Sequence, residues 1–96
     1  MASGYVMAWI SVTNPEQYED YRKFSTEAMR VHGAEVCVRG GQVVVMEGDW
    51  APERLVLLKF PSLQAAQDFY QSAEYQRAKA ARQGAAIMRL LCVEGV

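Results

Sequence analysis

Three residues in the middle and last third of the sequence have side chains that could do chemistry on a small molecule. Glu47 closes an apolar run, Arg54 follows the turn-like segment after it, and Tyr75 lies in a helical stretch. A guanidinium can bind a carboxylate, a carboxylate can act as general acid or base, and a phenol can donate a hydrogen bond. The set predicts a catalytic group of Glu47, Arg54 and Tyr75 that acts on a small organic acid or an aromatic metabolite.

A second group of residues could bind the ligand in the same cleft between sheet and helices. Its members are one further cation and three aromatic residues: Arg39, Tyr5, Trp9 and Trp50. A purely structural alternative stays open, because Glu47 and Arg54 stand at facing ends of neighbouring strands. A cross-strand salt bridge between them would explain both residues without a ligand.

The sequence offers little support for a metal or a cofactor, and we predict none. His32 is the only histidine, and it falls in the last turn of a helix, where the carbonyl end favours a partly charged imidazole. Zinc sites need clustered ligands, and haem needs a histidine on an inward-facing wall. No Gly-x-Gly-x-x-Gly or Walker loop occurs, and Gly40-Gly41 lacks the following helix that would bind a phosphate.

Composition limits the class of protein further. At 96 residues the chain predicts one domain, residues 1–96, and 51% of its residues are hydrophobic, as in a folded globular protein. Ten basic and eleven acidic side chains leave no charge excess that would attract nucleic acid or an anionic membrane. No apolar run reaches the ~20 residues that cross a bilayer. We expect a cytoplasmic protein whose Cys37 and Cys92 are free thiols.

The order of predicted elements defines the fold class. Strand patterns cover residues 5–12, 34–38, 42–47, 54–60 and 85–93, and helix patterns cover 14–32, 62–70 and 72–82. Whether Gly40-Gly41 forms a hairpin turn or a kink in one long strand stays open, as does whether the last two helices are one kinked helix. The order matches an α+β, ferredoxin-like βαββαβ sandwich with an antiparallel sheet and helices on one face.

The strands of this sheet carry apolar side chains on both faces. In the first strand Val6, Ala8 and Ile10 share one face, whereas Met7 and Trp9 share the other. Because helices cover one face only, the open face would leave large apolar side chains in water. We therefore expect a homodimer that buries this open face against the same face of a second copy.

Several short motifs give the chain a family resemblance. They are Arg39-Gly40-Gly41, Glu47-Gly48-Asp49-Trp50, Pro52-Glu53-Arg54, Phe60-Pro61-Ser62 and Phe69-Tyr70-Gln71-Ser72. With them the sequence resembles the family called domain of unknown function 1330 over nearly its whole length. The resemblance implies a ferredoxin-like fold of the dimeric α+β barrel group, which includes monooxygenases, isomerases, haem proteins and binding proteins.

Fold analogy does not choose among those functions. Two hypotheses follow. The first is a cofactor-independent enzyme or small-molecule binder that acts in the cleft, and the alternative is a non-catalytic dimerising structural module.

Overall fold

The computed structural model describes residues 2–96. Its four strands and three helices are, in chain order, β1 (Gly4–Val12), α1 (Pro15–Val31), β2 (Glu35–Arg39), β3 (Arg54–Phe60), α2 (Leu63–Gln71), α3 (Ala73–Ala81) and β4 (Ala86–Glu94). The strands form one antiparallel sheet in the order β2-β3-β1-β4. The predicted ferredoxin-like βαββαβ architecture is confirmed.

Helix α1 begins and ends where its sequence signals predict. The Asn14 side chain accepts a hydrogen bond from the Gln17 amide at 3.1 Å, and Pro15 occupies the first helical position. The helix ends at Val31, with His32 as its C-cap and Gly33 in the left-handed region at φ 65°. Local capping therefore fixes the length of α1, and with it the position of each side chain along the sheet.

Ser72 separates α2 from α3, which settles the question of one helix or two. Its backbone is extended, its hydroxyl donates to the Phe69 carbonyl at 2.7 Å, and the same oxygen accepts from the Tyr75 amide at 3.1 Å. One side chain thus ends α2 and caps α3. This cap places Tyr75 in the first turn of α3, where its ring enters the core.

The core lies between the sheet and the three helices. On β1 the buried side chains are Val6, Ala8 and Ile10, and on β3 they are Val56, Leu58 and Phe60. Phe69 and Tyr75 fill the helix side, with ring centroids 5.1 Å apart. Aromatic pairs in such tilted geometry add to the stability that apolar burial gives.

The predicted strand at residues 42–47 is wrong for this chain. The backbone leaves β2 at Gly40, and residues 40–53 form an irregular loop. Residues 42–47 pair with no strand, although the outer edge of β2 is unpaired within the described residues. Valines 43–45 and Met46 consequently stay in solvent, Val44 being 66% and Met46 89% exposed, and Gly40-Gly41 is neither a two-residue hairpin turn nor a kink within a strand.

Candidate functional site

A cavity lies between the helix-covered face of the sheet and helices α1 and α3. Its apolar walls come from β1, β3, α1, α2 and β4: Val6, Ala8, Ile10, Val56, Leu58, Met29, Phe69 and Leu90. Its polar lining consists of Arg22, Arg39, Arg54, Ser25, Tyr18, Tyr21 and Tyr75. Water-sized groups can be centred within a volume of only about 20 Å³ in this cavity. That is room for about one water molecule, so a larger ligand requires lining side chains to move.

Register places two arginines in this cavity. Arg54 lies opposite Ile10, which is buried, so its side chain leaves β3 on the helix-covered face. Arg39 lies opposite Val56 on the same face, but only because the β2–β3 register shifts by one residue between Val36 and Val38. Without that β-bulge Arg39 would lie opposite Leu55 and point to the open face. The bulge is thus what brings the two guanidinium groups together.

Gly40 makes room for Arg54. The residue has φ +74°, and a Cβ added there would lie 2.7 Å from Cζ of Arg54 and closer still to Nη1. Its amide donates to the Leu55 carbonyl at 2.9 Å, which continues the strand pairing for one more residue. Glycine therefore suits the backbone conformation at this position, and any larger residue would displace the end of the Arg54 side chain.

The arginines form a cluster of positive charge without a carboxylate inside the cavity. Arg22 is bound at the surface by Glu19, with Nη1 3.3 Å from Oε1, and Arg39 donates to Thr26 Oγ1 at 2.6 Å. Burial lowers the pKa of Arg39, and the charges of Arg22 and Arg54 lower it further. None of the described residues that line the cavity carries a carboxylate or an imidazole. An anion would relieve this repulsion.

Two of these arginines also have buried N–H groups that no protein atom accepts. The Nε atoms of Arg22 and Arg54 are inaccessible to solvent and have no hydrogen-bond acceptor within residues 2–96. Buried polar groups are normally hydrogen-bonded, and leaving a charged donor unpaired is costly. Each of these two guanidinium groups is therefore held with one N–H unpaired.

A pair of tyrosines forms the deep polar part of the cavity. The hydroxyl oxygens of Tyr21 and Tyr75 lie 3.0 Å apart, with the two rings edge to face. Burial raises the pKa of both phenols, because a phenolate would be poorly solvated there. The guanidinium of Arg82, 5.6 Å from the Tyr21 ring centroid, opposes the rise without reversing it. Both phenols are neutral at physiological pH and can donate hydrogen bonds.

The structure brings together three of the seven predicted site residues. Arg39, Arg54 and Tyr75 line the same cavity. Glu47 lies in the exposed loop, and the ion pairs within residues 2–96 are Arg22–Glu19, Arg30–Glu27 and His32–Glu74. The alternative of a Glu47–Arg54 salt bridge is therefore wrong, because Glu47 belongs to no strand and faces solvent.

The predicted aromatic ligands lie on the other face of the sheet. Tyr5 and Trp9 alternate with the buried residues of β1, and Trp50 packs on Trp9 with ring centroids 6.3 Å apart. Trp9 is directly opposite Arg89 of β4. These residues belong to the open face and not to the arginine cavity, because strand side chains alternate between faces.

Sequence reasoning missed four polar cavity residues on α1, namely Tyr18, Tyr21, Arg22 and Ser25. The spacing of the two tyrosines is typical of core residues, and no motif singles out the arginine or the serine. Ser25 is 1% exposed on the buried face of the helix, and its hydroxyl donates to the Arg22 carbonyl at 3.3 Å. A serine and two tyrosines on an otherwise apolar helical stripe are the signal that could have indicated a polar cavity.

Residues 2–96 contain no group of three His, Cys, Asp or Glu that could hold a metal ion. Over the same residues, no helix has both the length and the apolar character that a bilayer crossing needs. His32 instead pairs with Glu74, its Nε2 lying 2.7 Å from Oε1.

Fold and cavity together define a ferredoxin-like α+β protein with an arginine-rich pocket between its layers. The sequence pattern of the domain of unknown function DUF1330 matches residues 3–96, so the chain belongs to that family. No curated protein matches the chain.

Three solved structures illustrate the similarity in fold. A protein of unknown function from Rhodopseudomonas palustris has a TM-score of 0.75 at 18% identity, with 99% of this chain and 83% of that chain covered. A cofactor-independent oxygenase from Streptomyces nogalater has a TM-score of 0.60 at 9% identity, covering 96% and 90%. A dabb family protein with a ferredoxin-like fold from Mesorhizobium loti has 0.57 at 10% identity, covering 100% and 97%. At sequence identities this low, the three comparisons show similarity of fold alone.

Proposed function

We propose that this protein binds a small organic anion in the cavity between sheet and helices. The observation that carries the proposal is the convergence of Arg39 and Arg54 on a cavity without an acidic lining residue. A planar guanidinium binds a carboxylate through two parallel hydrogen bonds, and such bonds are stronger where water is excluded. An anion would offset the repulsion among the arginines.

The dimensions of the cavity favour a compact ligand. Ligand pockets usually measure roughly 300–1,000 Å³, whereas this cavity has room for about one water molecule before its lining side chains move. The arginines are the partly exposed members of the lining, whereas Tyr21 and Tyr75 are buried. A small acid would therefore hold its carboxylate near the mouth and place the rest of its structure against the tyrosines and the apolar walls.

We further propose that any turnover of the bound acid is cofactor-independent and takes place in the cytoplasm. The cavity supplies neutral phenols and guanidinium groups, which can stabilise negative charge that develops on a substrate oxygen. The similar fold of a cofactor-independent oxygenase supports this class by analogy only. The two free cysteines, Cys37 and Cys92, fit a reducing compartment.

A titration series tests the binding proposal. Short mono- and dicarboxylic acids and aromatic acids are titrated calorimetrically into the wild type, into Arg54→Ala and into Arg77→Ala. Arg77 is the matched control, because it lies on the exposed side of α3 over the Phe24 ring and does not line the cavity. We expect Arg54→Ala to weaken binding by roughly 10- to 100-fold, the value of a charge-assisted hydrogen bond, and Arg77→Ala to leave it unchanged. A folded Arg54→Ala variant with wild-type affinity would overturn the proposal.

A second candidate function is self-association without catalysis, and the open face of the sheet favours it. This face carries large apolar side chains from all four strands: Tyr5, Met7, Trp9, Val38, Leu55, Leu57, Ile87, Leu91 and Val93. Ile87, Leu91 and Val93 are exposed in the single chain, and a patch of this size favours association. We propose that a second copy covers it in a homodimer. A sedimentation mass of one chain at micromolar concentration would contradict this proposal.

A further inference from the structure

The hydroxyl hydrogens of the tyrosine pair exceed the acceptors around them. Tyr21 and Tyr75 share one hydrogen bond, which uses one of their two hydrogens. Beyond that bond, the contact made by the pair is from the Tyr75 hydroxyl to Met88 Sδ at 4.0 Å, which is long even for a sulfur acceptor. Whichever phenol donates to the other, one buried O–H has no strong acceptor in the protein. This hydrogen is available to a ligand.

The cavity therefore offers two kinds of donor at two places. Charged N–H groups of Arg39 and Arg54 lie near the mouth, and a neutral O–H of the tyrosine pair lies among buried residues. Burial keeps both phenols protonated, so the deep group donates and does not act as a base. A neutral donor in an apolar wall prefers an uncharged acceptor such as a carbonyl oxygen, because a second full charge would lose its hydration there.

We propose that the ligand is a compact oxo acid, with its carboxylate bound by Arg39 and Arg54 and its keto oxygen accepting from the Tyr21–Tyr75 pair. This inference rests on the proposed function and names its substrate class. It distinguishes the oxo acid from two close relatives. The acid without the keto oxygen leaves the phenol hydrogen unpaired. The hydroxy acid can accept that hydrogen, but its own hydroxyl hydrogen then needs an acceptor in a cavity lined by donors.

Three acids of equal chain length test the inference: 2-oxobutanoate, butanoate and 2-hydroxybutanoate. Calorimetric titration of the wild type is expected to give at least tenfold tighter binding of 2-oxobutanoate than of butanoate, which is the value of about one buried hydrogen bond. In the double variant Tyr21→Phe/Tyr75→Phe the three affinities are expected to converge. Both positions must be changed, because either phenol alone keeps a hydrogen to donate. Tyr70→Phe is the control, since Tyr70 stacks on Tyr75 at 5.3 Å but does not line the cavity.

The outcomes separate this inference from the binding proposal. If the wild type binds butanoate as tightly as 2-oxobutanoate, or if the folded double variant keeps the preference, the oxo-acid inference is wrong and anion binding stands. If the wild type binds none of the acids in the wider series, both fail. If the double variant does not fold, the ratio of the wild-type affinities for 2-oxobutanoate and butanoate decides the question by itself.

Discussion

The guanidinium of Arg54 lies against the backbone of Gly40, in space that any side chain at position 40 would occupy. The contact joins the end of β2 to the start of β3 and holds the arginine at the cavity. Gly40 is therefore a positioning residue for the proposed anion site. Its neighbour Gly41 has no atom within 4 Å of an added Cβ and has no positive φ, so the two glycines form a natural pair for comparison.

We predict that Gly40→Ala weakens anion binding at least tenfold, because the new methyl group displaces Arg54. The positive φ of +74° also costs about 1 kcal/mol of folding stability when alanine must adopt it. Gly41→Ala should change neither property by a measurable amount. Calorimetric titration and urea unfolding check the two effects separately. A Gly40→Ala variant that binds the acid as the wild type does would show that Arg54 does not need this position.

Two serine caps provide a second matched pair. Ser72 caps α3 through the Tyr75 amide, and Ser62 caps α2 through the Ala65 amide at 3.0 Å. Each serine-to-alanine change should cost about 1 kcal/mol of stability. Only Ser72→Ala should also reduce the preference for an oxo acid, because it loosens the turn that positions Tyr75. Equal binding by the two variants would show that the cap has a structural role alone.

The ion pair of His32 and Glu74 connects the end of α1 to the start of α3. Each partner suits its helix end, since the imidazole lies at a carbonyl end and the carboxylate at an amide end. We predict that Glu74→Gln lowers the free energy of unfolding by about 1 kcal/mol. Glu27→Gln removes the fully exposed pair with Arg30 and should leave the free energy of unfolding nearly unchanged. Urea unfolding of the two variants distinguishes them, and equal losses would contradict the prediction.

Alkaline pH should destabilise the protein through the tyrosine pair. The pKa of Tyr21 and Tyr75 is raised above the ordinary value of 10.0. Above about pH 10 the unfolded chain releases these protons and the folded chain keeps them, so the free energy of unfolding falls as pH rises. The slope is at most about 1.4 kcal/mol per pH unit for each group. Denaturant unfolding from pH 9 to 11 should give a shallower decline for Tyr21→Phe/Tyr75→Phe, and parallel curves would refute the assignment.

Much of the fold could be predicted from local sequence patterns, and the structure confirms those elements. Asn14, Ser62 and Ser72 each cap the helix that their position predicts, and the apolar runs at residues 5–12, 54–60 and 85–93 form β1, β3 and β4. Residues 42–47 fail because strand propensity describes how a segment fits a sheet and does not supply a strand to pair with. Valines 43–45 have a composition typical of a strand, but they pair with no strand among the described residues.

The site was harder to predict, because the face of the sheet to which a side chain points depends on the register of strand pairing. Arg39 points into the cavity because of a one-residue bulge beside Cys37. No sequence pattern predicts that bulge. The prediction that Trp9 and Arg54 share one cleft is wrong. Trp9 pairs with Leu55, the neighbour of Arg54, so the two side chains point to opposite faces of the sheet. The pairing of Tyr21 with Tyr75, 54 residues apart, depends on how α1 packs against α3. Such long-range contacts are not encoded in local spacing.

The proposed homodimer depends most on the centre of the open face. Met7 lies between Leu57 of β3 and Leu91 of β4, so a charge at this position would be surrounded by apolar side chains in the sheet-to-sheet interface. We predict that Met7→Lys is monomeric in sedimentation equilibrium at micromolar concentration, where the wild type sediments as two chains. Ala80→Lys adds the same charge to an exposed position of α3 and should remain dimeric. Met7 does not line the cavity. A folded Met7→Lys monomer that still binds the acid would therefore assign binding to the single chain. A folded monomer that has lost binding would show that the site needs both copies.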